Sequence, residues 1–391
     1  MKTNLFGAAV AAALGGLLLC STSIAAASQV PEPFQASDES SNYAISYENL
    51  NTMLDAVVVD IGRSDRSKAP REQQPTGTRL KVKINRWTIN EGNRVYYEAF
   101  VDNETARQQL DEVKKGIENA TAEVGLKIFS RDEQLAYWLN LYNVTLLNEI
   151  VKVYPKNNLE DFLYGKNSIL DRKLLFVEGV SLSLNDIQYT ILKQNYDGNP
   201  MVIYGLYQGI IGSPNIRGSA YTGKTVHDAL TENAVVFINS NRGTAIKNAK
   251  KFRVSSFYER NEAFFPNFHA DLAAHLSQYL EGDELLALES ASKLVTDIND
   301  WTVTDLGGTR REVGGSLANS NAAMLGSVQG GSSSNYGMAA SGGAGSGGIN
   351  SALVKRTQEQ NAEAAEDDEN ASDDSNSDSD TDSDTDSGKP R

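Results

Sequence analysis

The most continuous apolar pattern in the chain runs from Ser130 to Pro155. Apolar residues recur there at helical spacing and also fill the rest of the circumference, which predicts a central helix covered on most sides. Ser130 and Glu133 predict a capping box at its start, in which the hydroxyl accepts from the Glu133 amide and the carboxylate accepts from the Ser130 amide. Pro155 disfavours helical geometry in the residue before it, so the helix is predicted to end there.

Two asparagines, Asn140 and Asn143, lie three residues apart on one side of this apolar helix. A buried amide without partners costs roughly 1–3 kcal/mol, so each of them requires hydrogen bonds. The structural interpretation is that both clamp a neighbouring loop, and this is the default. The functional interpretation places them beside a ligand or a catalytic group.

Shorter patterns on either side predict a mixture of helices and strands. In chain order they are a helix at 47–62, a hairpin from 80–84 and 94–101, a helix at 105–124, a strand at 173–177, a helix at 184–194 capped by Ser183 with Asp186, a buried strand at 200–211, a helix at 225–239, a strand at 251–254 and a helix at 267–280. These elements lack a regular β-α-β rhythm, which favours an α+β fold. We therefore predict a single globular domain at 43–308, with the central helix buried against a small, mostly antiparallel sheet.

The first residues have the layout of a secretory signal, with a basic start, an apolar run and a small-residue segment. We predict a signal peptide at 1–27 that is cleaved near Ala27, followed by an exposed leader at 28–42. Lipidation of Cys20 is the alternative, but Leu19 occupies the place where a small residue is usually required. The mature chain is expected to be periplasmic or secreted, and no second apolar run is long enough to span a bilayer.

The composition changes after the predicted domain. Residues 309–360 are rich in Gly and Ser and predict a flexible linker, and residues 361–391 predict a disordered acidic tail. The tail contains twelve acidic and two basic residues, so it carries −10 of the net charge of −15. This charge argues against nucleic acid or an anionic membrane as a partner. Weak calcium association is a secondary expectation, because the Asp-x-Asp pattern lacks the Gly turn and terminal Glu of a calcium loop.

The residues available for catalysis or metal binding are few. Cys20 is the only cysteine, so a chain cleaved at Ala27 has no thiol for catalysis or metal binding. His227, His269 and His275 show no spacing that is typical of metal ligands, and no cofactor is predicted.

The expected partner is an envelope protein, a peptide or a glycan. Aromatic residues that could line a groove for it are more often core residues when they recur at helix and strand spacing. They are Tyr137, Trp138, Tyr142, Tyr204, Tyr207 and Tyr221.

Three stretches of the chain, 131–143, 177–187 and 213–222, together resemble the domain of unknown function 547 family. The resemblance extends over about 43–308. It implies a distant similarity to papain-like and transglutaminase-like cysteine enzymes, which use a thiol nucleophile and a histidine base.

The chain departs from the family where that chemistry is expected. The family's usual segment carries one histidine and two cysteines, and aligning Pro214 with its proline puts Ile203, Gln208 and Ser213 at these three positions. A papain-like mechanism requires a thiolate beside an imidazole, and neither group is available there. We therefore predict a non-catalytic binding or scaffolding protein.

A cysteine-independent hydrolase that uses Ser213 as nucleophile and His227 as base is the alternative, and it requires the two side chains within about 3.2 Å or one bridging water. The predicted pocket lies between the amino end of the central helix and the loop at 208–217. Its predicted residues are Asn140, Asn143, Gln208, Ser213, Arg217 and Tyr221.

Overall fold

The computed structural model describes residues 29–70, 85–101, 103–248 and 250–306 of the 391-residue chain. Several predicted segments lie outside these described residues: the signal peptide at 1–27, the first hairpin strand at 80–84, the linker at 309–360 and the acidic tail at 361–391.

The described residues contain more helix than strand. The α-helices are α1 (Glu48–Val57), α2 (Glu98–Val101), α3 (Glu104–Glu118), α4 (Arg131–Val153), α5 (Glu160–Tyr164), α6 (Lys193–Asn195), α7 (Val226–Ile238), α8 (Ser256–Arg260), α9 (Phe268–Leu276) and α10 (Gly282–Ser290). A π-helical segment, Asp186–Leu192, leads directly into α6, and its start carries the predicted reciprocal cap between Ser183 and Asp186. Short 3-10 turns lie at Glu32–Phe34, Leu126–Ile128, Ile169–Asp171, Pro200–Gly205 and Glu262–Phe264.

The strands form three small sheets. They are β1 (Val58–Val59), β2 (Arg94–Val95), β3 (Leu175–Val177), β4 (Val180–Leu182), β5 (Thr244–Asn248), β6 (Lys251–Ser255) and β7 (Lys293–Ile298). The pairs β1–β2, β3–β4 and β5–β6 are antiparallel, and β6–β7 is parallel. The predicted α+β class is therefore confirmed.

Helix α4 is the predicted central helix, and nearly all of its side chains are buried. Ser130 caps it as predicted, because its Oγ accepts from the Glu133 amide at 3.3 Å. The reciprocal half of the predicted capping box is wrong. The buried Glu133 carboxylate instead accepts from the amides of Ile45 and Gly223, each at 2.9 Å, and thereby joins two loops to the helix. Burial raises the pKa of Glu133, and these two amide bonds act in the opposite direction.

The predicted exposed leader at 28–42 is exposed at eight of its fourteen described residues, but it is also docked on α4. Phe34 is 1% exposed, and its ring meets Trp138 edge to face with the centroids 4.9 Å apart. Arg131 and Gln134 donate to the Gln35 and Ala36 carbonyls, which directly follow this turn, each at 2.9 Å. Two buried apolar residues, Val30 and Phe34, and several side-chain donors thus fix an otherwise polar segment.

The predicted buried strand at 200–211 is buried, but it is not a strand. Its first half is the 3-10 turn Pro200–Gly205, and an isolated bridge pairs Ile210 with Val303. The Asn199 side chain accepts from the Met201 amide at 2.9 Å, and proline in the first helical position favours a helical start.

The segment predicted as a strand at 94–101 also differs. Only Arg94–Val95 is extended, and it pairs with β1, whereas Glu98–Val101 is the helix α2. Apolar and polar residues alternate over too few positions here to distinguish a strand from a single helical turn.

Candidate functional site

The two asparagines of α4 each hold the backbone of another segment with both ends of the amide. Asn140 donates to the Tyr221 carbonyl at 2.8 Å and accepts from the Tyr221 amide at 2.9 Å. Asn143 donates to the Gly205 carbonyl and accepts from the Tyr207 amide, both at 2.9 Å. The predicted clamp is confirmed for both residues. Their hydrogen bonds are directed to the protein itself.

A narrow cleft lies beside these clamps, bounded on its apolar side by Leu50 and Leu54. Its volume is about 10 Å³, which is room for roughly one water molecule. The predicted pocket residues that line this cleft are Asn140, Asn143, Arg217 and Tyr221. Gln208 and Ser213 lie elsewhere.

Ser213 and His227 have separate hydrogen-bond partners. Ser213 is fully buried, and its Oγ donates to the Ile210 carbonyl at 2.9 Å. The His227 side chain is 59% exposed, and its Nε2 lies 2.8 Å from the Asp132 carboxylate. The structure therefore does not join the two through a hydrogen bond, and a catalytic role for either stays a prediction without geometric support.

A larger cleft of about 480 Å³ lies where α5, α8 and the segment after β7 meet, and we call it the Arg260 cleft. Arg260 lies against two aromatic rings, with its guanidinium carbon 5.0 Å from the Tyr164 ring centroid and 4.6 Å from that of Trp301. The two rings meet edge to face with centroids 5.5 Å apart. Such cation–π contacts fix the three side chains relative to one another.

Gln208 lies behind this cluster. It is 1% exposed, and its Oε1 accepts from Arg260 Nη2 through a long bond of 3.5 Å. Arg260 Nη1 donates to Ser256 Oγ at 2.8 Å, which fixes the other arm of the guanidinium. Burial raises the pKa of the Tyr164 phenol, whereas hydrogen bonds from Arg260 and Gln208 and the guanidinium charge lower it. Tyr164 is 38% exposed and lines the cleft.

Acidic and uncharged polar groups complete the lining. Glu160, Asp161 and Glu259 are exposed carboxylates, and Thr296 and Asn299 add a hydroxyl and an amide. Gly165 closes the carboxyl end of α5 next to them. A Cβ on this glycine would lie 2.3 Å from the Asp161 carbonyl oxygen, so a larger residue cannot be placed here without moving the backbone.

The model of the family described as "Protein of unknown function, DUF547" matches residues 126–238. We call these residues the DUF547 segment, after the model that they match. The predicted family resemblance is confirmed over this stretch, which is shorter than the 43–308 expected from the sequence. No curated protein and no solved structure matches the chain.

The DUF547 segment supplies only one side of the Arg260 cleft. Tyr164 and Gln208 lie inside the matched segment, and Arg260 and Trp301 lie outside it. Sequence analysis predicted Gln208 but missed Tyr164 and Arg260. No motif or spacing connects these residues along the chain, so no local pattern could have identified the cleft.

Two further findings concern the described residues as a whole. Nowhere in this part of the chain do three or more His, Cys, Asp or Glu side chains gather in a group that could hold a metal ion. His275 is buried, with its Nε2 2.9 Å from the Tyr204 hydroxyl oxygen, and His269 is exposed.

None of the described helices combines the length and apolar character needed to cross a membrane.

Proposed function

We propose that this chain is an exported, non-catalytic binding protein whose ligand occupies the Arg260 cleft. The observation that carries the proposal is the position of Gln208. The family resemblance implies a cysteine at this position, and the glutamine is buried against the guanidinium that forms the wall of the cleft. A carboxamide neither ionises nor acts as a nucleophile at neutral pH, so it suits a wall and not a reaction centre.

The size and rigidity of the cleft favour binding. Its volume of about 480 Å³ falls within the roughly 300–1,000 Å³ that is typical of small-ligand sites. The Arg260 guanidinium is fixed by Ser256 and by the two aromatic rings. A site that is ordered before the ligand arrives avoids part of the entropic cost of binding.

Purified full-length chain provides the test. We expect no turnover of ester, thioester or peptide substrates above the level of the Ser213→Ala variant. A panel of saccharides, peptides and small acids is expected to contain at least one ligand that raises the Tm of the chain, and Trp301→Ala abolishes that shift. Trp87→Ala is the matched control, because Trp87 is exposed and does not line the cleft. Turnover that Ser213→Ala abolishes refutes the proposal.

Export has its own test, since it depends on the first 27 residues. Mass spectrometry of the protein recovered from the periplasm or medium is expected to give an amino terminus near Ser28. Recovery of an intact Met1 in the cytoplasm, or of a lipid on Cys20, contradicts this part of the proposal.

A further inference from the structure

We infer that the Arg260 cleft binds an uncharged saccharide, an inference that rests on the proposed binding function. Three properties of the cleft lining indicate this ligand class: its aromatic surface, its polar groups and its net charge.

The aromatic surface suits the face of a sugar ring. Tyr164 is 38% exposed, lines the cleft and has its ring against Arg260, so the cleft presents aromatic surface to a ligand. Trp301 is partly exposed beside it. Rings that are fixed by Arg260 provide a flat apolar platform, and the C–H face of a pyranose can pack on such a platform as other apolar groups do.

The polar groups suit hydroxyl groups. Glu160, Asp161 and Glu259 form no ion pair with any other described residue, so their oxygens are available to accept hydrogen bonds from a ligand. Asn299 adds an amide that can both donate and accept. Carboxylates, an amide and a guanidinium are planar groups with two neighbouring polar atoms, a geometry that matches the adjacent hydroxyls of a sugar.

The side chains that the lining lacks argue against other ligands. Among the described residues that line the cleft, none has an aliphatic side chain, so an apolar peptide side chain or a lipid chain finds no matching surface. Three carboxylates and one guanidinium give the lining a net charge of −2, which repels acidic ligands. A hydroxylated ligand without acidic groups satisfies both conditions.

The test is calorimetric titration of the full chain with cello-, malto-, xylo- and N-acetylchitohexaose, and with the galacturonate hexamer as the acidic counterpart. We expect at least one uncharged hexamer to bind and the galacturonate hexamer to bind more weakly than every hexamer that does. Trp301→Ala is expected to lower the affinity by about tenfold or more, through loss of the stacking surface. Asn299→Ala, at an exposed position, should weaken binding without a change in Tm, and Trp87→Ala should leave the affinity unchanged.

The outcomes separate this inference from the proposed function. If only the acidic hexamer or a peptide binds, and Trp301→Ala removes that binding, the saccharide inference is overturned and the binding function stands. If an uncharged hexamer binds equally well to wild type, Trp301→Ala and Asn299→Ala, the cleft is not its site and the inference is again overturned. If no compound of any class binds, both are overturned.

Discussion

Acid should destabilise this protein through His275, which lies in a cluster of aromatic side chains. The residue is 6% exposed, and its ring stacks on Tyr204 with the centroids 5.7 Å apart and the planes 16° apart. Phe265 and Tyr279 contact the same imidazole. Burial lowers the pKa of His275 from 6.5 to about 4, because the charged form loses hydration that these neighbours do not replace.

The sign and size of the effect follow from this shift. Between pH 6.5 and 4 the unfolded chain binds a proton at this position and the native chain does not, so stability decreases as the pH falls. A pKa depression of this size corresponds to a loss of about 3 kcal/mol in the free energy of unfolding. The full loss is reached only below the native pKa. Glu133, whose pKa is raised by burial, acts in the opposite direction. The effect must therefore be measured as a difference between two chains.

The comparison is wild type against His275→Phe, in urea unfolding at pH 7.5, 6, 5 and 4. Phenylalanine keeps an aromatic ring in the slot, and the Tyr204 hydroxyl retains its bond to Tyr258 at 3.2 Å. We expect the wild type to lose about 3 kcal/mol more than the variant over this range. The exposed His269→Phe should follow the wild type. Identical pH dependence in wild type and His275→Phe would refute the argument.

Three further predictions concern the contacts of α4. Glu133→Gln should destabilise the chain by about 1–3 kcal/mol in urea unfolding, because a carboxamide has only one oxygen and cannot accept from both loop amides as the carboxylate does. The control is Glu123→Gln, at an exposed position. Equal urea midpoints for the two variants contradict this prediction. Phe34→Ala should lower the free energy of unfolding by about 3–5 kcal/mol. The control is Phe176→Ala, because Phe176 is 62% exposed and its loss should lower the same free energy by under about 0.5 kcal/mol. A small decrease for Phe34→Ala means that the segment before α1 is not anchored as described. Asn143→Ala should lower the free energy of unfolding by about 1–3 kcal/mol, measured in the same way, and an unchanged value contradicts the clamp.

Features encoded in a local pattern could be predicted from the sequence. The bounds of α4 follow from its apolar periodicity, from Ser130 and from Pro155, and the clamp role of Asn140 and Asn143 follows from the need to satisfy a buried amide. The direction of the Glu133 carboxylate could not be predicted, because its two partners are loops that approach only in the folded chain.

Tertiary contacts determine the other differences. Residues 200–211 are rich in β-branched and aromatic residues, yet the Asn199 cap and the Asn143 clamp favour a turn over strand pairing. The docked position of 29–42 depends on two buried apolar residues, Val30 and Phe34, among mostly polar neighbours, so composition predicts an exposed segment. The Arg260 cleft combines α5, α8 and Trp301, which are far apart in the chain.

The central helix and the proposed binding site are connected through one short segment. Asn143 fixes the Tyr207 amide, and the next residue, Gln208, is thereby held behind Arg260. The DUF547 segment thus supplies a rigid rear wall, since α4 and the clamped backbone belong to it. Arg260, Trp301 and most of the polar lining come from residues beyond 238. In the proposed site, ligand selectivity is therefore set mainly outside the matched segment, and a family match confined to that segment does not carry the identity of the ligand.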